Sequence, residues 1–471
     1  MKKNIRIFSI VMILSLLFVG KQSSAQSLSD NGIFYHSFSS PWSASLNPAL
    51  FPTSASWYIT LPRTNFELSL PFSYSELGLR YDKTQQVTYF NVTDFIKLLN
   101  TRHCRFSMTT DANILGLGFS IGRRLHFTLD AGVKSNGLVS VPIEITRLLT
   151  EGNLTENKQL ELGTSPLADF MAYGYASAGM SYNLSSIPLT LGVRFNMLDG
   201  IVLASVDNLT LNLITPPDTS SLKLIADYTA HSAGMAYARV DSNGNFAVDT
   251  DFSFPMNLGY TVDFGAKFSI PGFDFSVSLL NFGTGIRWTQ NPNVITPKNG
   301  KVTIDFDGID LDHITSTEKL QSYADSLLHL AEFSSKNSSF HYAPPTKLYV
   351  GASFSLLRTL RIGYLFHGEW EGGLFNNFSS SPFRFNNTIS LHLNVLDWLE
   401  LSIANSVSKS RDLFVPFNPG FSISFNPSRT MQLYAAVDYT NAFSVTKMRA
   451  AHVYFGINIY GYRNPHNQYD D

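Results

Sequence analysis

One cysteine, Cys104, is present in 471 residues. A single thiol cannot close an internal disulfide, so the fold must hold through packing and hydrogen bonding alone. Charge is scarce too. Asp, Glu, Lys and Arg make up 15% of the chain and the net charge is −2, against roughly 25% charged residues in an average soluble domain. No run of Lys or Arg builds a basic face for a phosphate backbone, so nucleic acid is not an expected partner. Long apolar runs are missing as well. Past the first 25 residues there is no uninterrupted apolar stretch of about 20, which excludes helical membrane spans.

Signatures of catalysis are equally thin. The sequence contains no glycine-rich phosphate loop, no Gly-x-Ser-x-Gly elbow and no His-Glu-x-x-His. Its eleven histidines are dispersed without close metal-ligand spacing, so neither a metal nor a cofactor is expected. Asp305, Asp307, Asp310 and Asp312 cluster, but their spacing does not match an EF-hand, and a solvated acidic loop is the simpler reading. No enzyme is predicted.

What the chain does contain begins with an export signal. Lys2, Lys3 and Arg6 form a basic start, Ile7 to Val19 is apolar, and Ser23-Ser24-Ala25 offers small residues for cleavage. Cleavage is expected after Ala25. No Cys follows the apolar run, so lipoprotein processing is not expected.

After a segment rich in Ser and Pro, period-two alternation takes over. In Thr388 to Val395, Ile389, Leu391, Leu393 and Val395 face one way and Ser390, His392 and Asn394 the other; from Val453, Val453, Phe455, Ile457 and Ile459 oppose Tyr454, Gly456, Asn458 and Tyr460. This is the pattern of a strand with lipid on one face and a lumen on the other, over the roughly 10 residues a tilted membrane strand needs. Tight links such as Ile270-Pro271-Gly272 and Leu396-Asp397 take turns with long ones such as 371–382 and 291–344. Outer-membrane barrels have short periplasmic turns and long outer loops.

The expectation is an all-β, single transmembrane antiparallel β-barrel of fourteen strands over 65–80, 103–122, 124–140, 170–184, 187–206, 256–270, 273–290, 345–357, 359–371, 383–395, 398–408, 416–426, 430–440 and 449–462. A turn at Asp199-Gly200 would raise the count to sixteen. Residues 205–254 read as one outer excursion with its own hairpin. Trp288 and Trp370 are expected near the outer rim, and Trp398, Tyr460 and Tyr462 near the inner one. Short helices are predicted in two outer loops, Val92 to Asn100 and Thr317 to Phe333. The domain plan is a signal peptide over 1–25, a plug or hatch segment over 26–62, the barrel over 63–462 and a polar tail over 463–471.

Two groups of residues are candidates for a site. Asn47, Pro48, Ala49, Leu50 and Phe51 lie in the irregular segment ahead of the strands, where an even strand count leaves the N-terminus on the periplasmic side, able to fold back into the lumen. Ser390, His392 and Asn394 share one face. They hold the parts of a hydrolase site, but Cβ atoms roughly 7 Å apart should keep such side chains from meeting easily. Lumen lining is the preferred reading.

The stretches Asn47-Pro48-Ala49-Leu50, Leu191-Gly192-Val193-Arg194-Phe195, Leu198-Asp199-Gly200-Ile201, Leu280-Asn281-Phe282-Gly283 and Pro344-Pro345-Thr346-Lys347-Leu348-Tyr349-Val350-Gly351 together resemble the FadL-type superfamily of outer-membrane barrels, the long-chain fatty-acid transporter architecture. Within it, the chain is similar to a little-characterised Bacteroidota branch without an established function. The resemblance implies a fourteen-strand barrel, an N-terminal hatch around the Asn-Pro-Ala stretch and a lateral opening through which apolar ligands leave. The expected function is a passive outer-membrane channel for small hydrophobic molecules, in contact with outer-membrane lipid. The alternative is a structural or protein-binding barrel with cell-surface or periplasmic protein partners, docked through the loops 205–254 and 291–344.

Overall fold

Alternating side chains build the wall. The computed structural model describes residues 32–38, 40–52, 55–76, 79–82, 87–90, 104–141, 160–162, 168–184, 186–214, 222–241, 246–253, 257–298, 300–306, 333–357, 359–370, 383–396, 398–409, 414–415, 417–428, 430–438, 440 and 444–462. Two short helices open this part of the chain, α1 (Gly32–Tyr35) and α2 (Trp42–Leu46). The wall strands follow: β1 (Ala55–Thr60, resuming as Arg63–Ser69), β2 (Cys104–Ile121), β3 (Leu125–Val141), β4 (Ala168–Asn183), β5 (Leu189–Ile214), β6 (Asn257–Ile270), β7 (Phe273–Trp288), β8 (Thr346–Leu357), β9 (Leu360–Trp370), β10 (Phe383–Leu396), β11 (Leu399–Lys409), β12 (Pro419–Ser428), β13 (Met431–Asp438) and β14 (Ala450–Tyr462).

Each strand pairs antiparallel with the next, and β1 pairs with both β2 and β14, so fourteen strands close into a barrel. β1 is interrupted at Leu61-Pro62, where proline has no N–H to give to the ladder. Asp199 and Gly200 run through the middle of β5, paired to β4 and β6, so no turn forms there. Beyond the ring β5 continues upward, and Leu222–Gly234 folds back along it as the hairpin of the outer excursion.

Facing follows the alternation. Along β13 exposed Met431, Leu433 and Val437 alternate with buried Gln432, Tyr434 and Asp438. On β10, exposed Ile389 and Leu393 alternate with buried Thr388, Ser390 and His392. The outward set makes an apolar belt suited to hydrocarbon and the inward set a polar, aromatic lumen.

Several expectations are corrected. The first wall strand spans 55–69 rather than 65–80, and so begins inside the stretch assigned to the plug. Among the described residues the α-helices lie in the N-terminal segment, where the sequence reads as irregular. The predicted loop helices fall on 92–100 and 317–332, outside the described residues, as do the signal peptide and the tail; Phe333 opens a short strand. Trp288 and Tyr460 do not join an interfacial belt. Both turn inward, 0% and 4% exposed, because their places in the alternation belong to the lumen face. Trp398 does stand outward, edge-on to Phe425.

Candidate functional site

Helices of four and five residues are far too short to persist alone, so α1 and α2 exist because the lumen holds them. Ile33, Phe34, Tyr35, Trp42 and Leu46 form one buried cluster with Leu280, Tyr349, Leu365, Tyr434 and Tyr454 of the wall. The Phe34 ring meets Tyr434 and Tyr454 edge-on. Burial of such side chains contributes on the order of 2 kcal/mol each. The described residues from Gly32 to Phe51 therefore lie inside the barrel, packed on inward-facing side chains of the wall.

Asn47 organises the end of this plug and is wholly buried. Its Oδ1 accepts from Ala49 N at 2.9 Å, fixing the turn through Pro48, and its Nδ2 donates to Tyr35 Oη at 3.1 Å and to the Val277 carbonyl at 3.2 Å. Two lumen-facing glycines make room for it. A side chain at Gly265 would overlap Asn47 Oδ1, and one at Gly192 would meet the Pro48–Ala49 peptide. These glycines are the seat of the plug. Leu50 packs against the same cluster, while Phe51 stacks on His126 at 4.4 Å.

Wall side chains complete the attachment. Arg194 donates from Nη1 to Ala44 O (3.0 Å), from Nη2 to Ser45 O (2.7 Å) and from Nε to Asp263 Oδ2 (2.7 Å). Ser278 Oγ donates to Leu46 O at 2.6 Å. Closer to the turns, Glu400 accepts from Ser37 Oγ (2.9 Å) and Phe38 N (3.1 Å), and Arg361 Nη1 donates to His36 O (3.0 Å) with its guanidinium 4.3 Å over the Phe38 ring. Burial, with His392 nearby, pushes the His36 ring down to about 3. A neutral ring suits its 3.0 Å contact to Tyr364 O, where Nε2–H is the donor.

Ser390 and His392 do meet, contrary to the spacing argument. The imidazole bridges the gap: Nε2 lies 3.0 Å from Ser390 Oγ, while Nδ1 lies 2.8 Å from Ser402 Oγ and 3.7 Å from Glu400 Oε1. Ser390 is 2% exposed, and its Oγ lies 2.7 Å from where a side chain on Gly363 would begin. The cluster buttresses the carboxylate that holds the plug. Asn394 shares the face but is not brought into it. Of the acidic loop residues, Asp305 lies in a short strand over Val302–Phe306; Asp307, Asp310 and Asp312 are outside the described residues. No His, Cys, Asp or Glu group able to hold a metal occurs among the described residues.

The wall itself is irregular at β7. Asn281 and Gly285 have φ of 58° and 73°, and the register against β6 slips twice nearby. On the other side, pairing with β8 stops at Leu280↔Lys347, and β7 is paired again only from Ile286↔Tyr342, with the short strand Phe340–Tyr342. Side chains close the gap: Asn281 Nδ2 donates to Pro345 O at 2.8 Å and Thr346 Oγ1 to Asn281 O at 3.2 Å. Asp263 joins this break to the plug, since its Oδ1 accepts from Asn281 N (2.7 Å) while its Oδ2 holds Arg194.

Above the plug lies a cavity of about 90 Å³, walled by Arg63, Asp111, Asp130, Lys134, Arg194 and Asp263 among others, and reaching Leu280, Asn281 and Pro345 at the break. A second apolar cluster around Trp288, Tyr173, Leu198 and Leu203 lies toward the long loops. Sequence reasoning missed Arg194 and Asp263. The available signal was a charge within an alternating strand of a charge-poor chain.

A family model described as "Family of unknown function (DUF5723)" matches residues 48–438. No curated protein matches the chain. Among solved structures, the chain is similar to a Pseudomonas aeruginosa FadL homologue (11% identity over 94% of this chain and 99% of that one, TM-score 0.44). It is also similar to the toluene transporter TodX of P. putida (10%, 89% and 93%, TM-score 0.41) and the toluene transporter TbuX of Ralstonia pickettii (8%, 90% and 94%, TM-score 0.40).

Proposed function

The chain belongs to DUF5723, a family of unknown function, and from that premise and the geometry of its lumen we propose a passive outer-membrane channel for small hydrophobic molecules, closed by its own N-terminal segment. The observation that carries this reading is the way the plug is attached. It is held by side chains and single carbonyls of the wall and by apolar packing, and among the described residues 32–52 it forms no strand ladder with the wall. Such a segment can leave its seat while every wall hydrogen bond stays made.

The wall break supports a hydrophobic cargo. It touches the cavity on the inside and the apolar belt on the outside, so a molecule leaving there enters hydrocarbon. Only apolar surface gains by that transfer, at about 25 cal/mol per Å²; a polar solute would lose its hydration. Asp263 binds both Arg194 and Asn281, so displacement of the plug removes two of the three acceptors of the arginine that shares this carboxylate with the break. In this reading the tight turns face the periplasm, and the outer-membrane lipid surrounds the belt.

The test is deletion of Ser37 to Pro52, followed by reconstitution in liposomes. Flux of a small aromatic probe is expected to rise while the barrel stays folded. Unchanged flux through folded barrels would sink the channel reading.

A second reading, a protein-binding surface barrel, draws on the outer excursion, where Val248 and Phe252 are 66% and 81% exposed. It predicts cell-surface or periplasmic partners that are recovered by the whole protein and lost when 236–253 is trimmed.

A further inference from the structure

We propose that Arg63 is the centre of a small-oxyanion site in the lumen, one that takes a carboxylate or a phosphate group. Of the four cations around the cavity, Lys134 reaches Asp111 at 3.2 Å and Arg194 reaches Asp263 at 2.7 Å, both within hydrogen-bond distance, while Lys347 lies 3.8 Å from Glu369. Arg63 is different. It is 6% exposed, and its nearest carboxylate oxygen, Asp130 Oδ1, is 3.9 Å away, outside hydrogen-bond range. That oxygen already accepts from Asn113 Nδ2 at 3.2 Å. One face of the guanidinium lies 4.6 Å from the Trp42 ring of the plug, which takes no hydrogen bond in the plane. The five planar donors of Arg63 thus have no hydrogen-bond acceptor among the described residues, and the side chain lines the cavity.

A buried guanidinium without acceptors is costly. Its fork of N–H groups matches two oxygens of one carboxylate or phosphate, and the bonds formed are of the strong, charge-assisted kind. Asn65 stands next to it on the same strand face. Its Oδ1 is taken by His452 Nε2 at 2.8 Å, which leaves Nδ2 as a second donor on a residue that also lines the cavity. The volume of about 90 Å³ admits an acid group with a few waters. Asp130 and Asp111, both at the cavity wall, oppose a second negative charge and select a singly charged group. The inference goes beyond the channel reading, because binding at Arg63 does not require that anything pass the plug.

Trp42 supplies the readout, since an anion on Arg63 perturbs the cation stacked on its indole. The experiment titrates the full-length barrel in detergent with inorganic phosphate and, separately, with octanoate, and follows tryptophan emission; 1-octanol is the neutral control. A saturable change is expected with at least one anion and none with octanol, and Trp42→Phe should abolish it. Arg63→Gln should weaken the affinity about tenfold or more. Response to phosphate alone identifies a free anion as the ligand, and response to octanoate alone identifies an amphiphile headgroup. If neither anion acts, or if Arg63→Gln binds as wild type does, the site holds only water and the proposal fails. Should Arg63→Gln not fold, Asp130→Asn replaces it: loss of the competing carboxylate must tighten anion binding, and unchanged or weaker binding overturns the assignment.

Discussion

Arg194 shows how much one side chain can decide. Its three nitrogens reach the Asp263 carboxylate and two carbonyls at the end of α2, a fan of bonds that the point charge of lysine cannot reproduce. With 10% and 2% of their side chains exposed, Arg194 and Asp263 form a buried pair, and removing one member strands the other. Arg194→Ala is therefore expected to destabilise the protein by about 3 kcal/mol, read from urea unfolding in detergent. It should also speed protease cleavage within residues 37–51. Arg194→Met with Asp263→Asn should cost less than Arg194→Ala, because no charge is left unpaired; an equal or greater loss would show that the pair is not what stabilises the plug.

At the scale of elements, the plug and the wall are fitted to each other through what the wall leaves out. Strands β5 and β6 present Gly192 and Gly265 where the turn through Pro48 rests, and any larger residue would occupy its place. Gly265→Val should leave the strands paired, since valine suits a pleated surface, yet push Asn47 off the Tyr35 hydroxyl and the Val277 carbonyl. The expected outcome is a barrel with normal heat-dependent gel mobility and raised probe flux in liposomes. Wild-type flux from a folded Gly265→Val barrel would mean that the seat does not control closure.

For the whole molecule the vulnerable place is the seam where the last strand meets the first. Ring closure through β1 and β14 is reinforced at the long-loop end by Arg449, which donates to both carboxylate oxygens of Glu76, with Ser73 N and Oγ on the same carboxylate. Burial pushes the Glu76 carboxyl up, but the bonds from Arg449 and Ser73 outweigh it and hold the group at about 2, below its ordinary 4.5. A lowered folded-state value means the contribution is complete above the ordinary range and is lost as pH falls from about 4.5 toward about 2. Protection from hydrogen exchange in residues 70–76 and 449–452, taken relative to the intrinsic rate at each pH, should fall across that interval in the wild type. In Glu76→Gln it should already be low at neutral pH and change little on acidification.

The wall could be read from the chain because its rule is local. Facing alternates every residue, so Ile389 and Ser390 declare opposite sides without knowledge of any partner, and the strand count follows from turns a few residues long. Trp288 and Tyr460 obey the same rule: their places in the alternation turn them into the lumen, although their side chains would also suit an interfacial belt. The site obeys no local rule. Asn47 donates to Val277 across 230 residues, and Arg194 reaches Ala44 across 150. No periodicity links such positions, and a glycine shaped to receive a turn looks like a glycine that eases curvature. That an irregular segment precedes the strands could be read from the Asn-Pro-Ala stretch. Where it sits, what grips it and which carboxylate ties it to the break in the wall were settled only when closure of the ring brought β5, β6 and β7 around it.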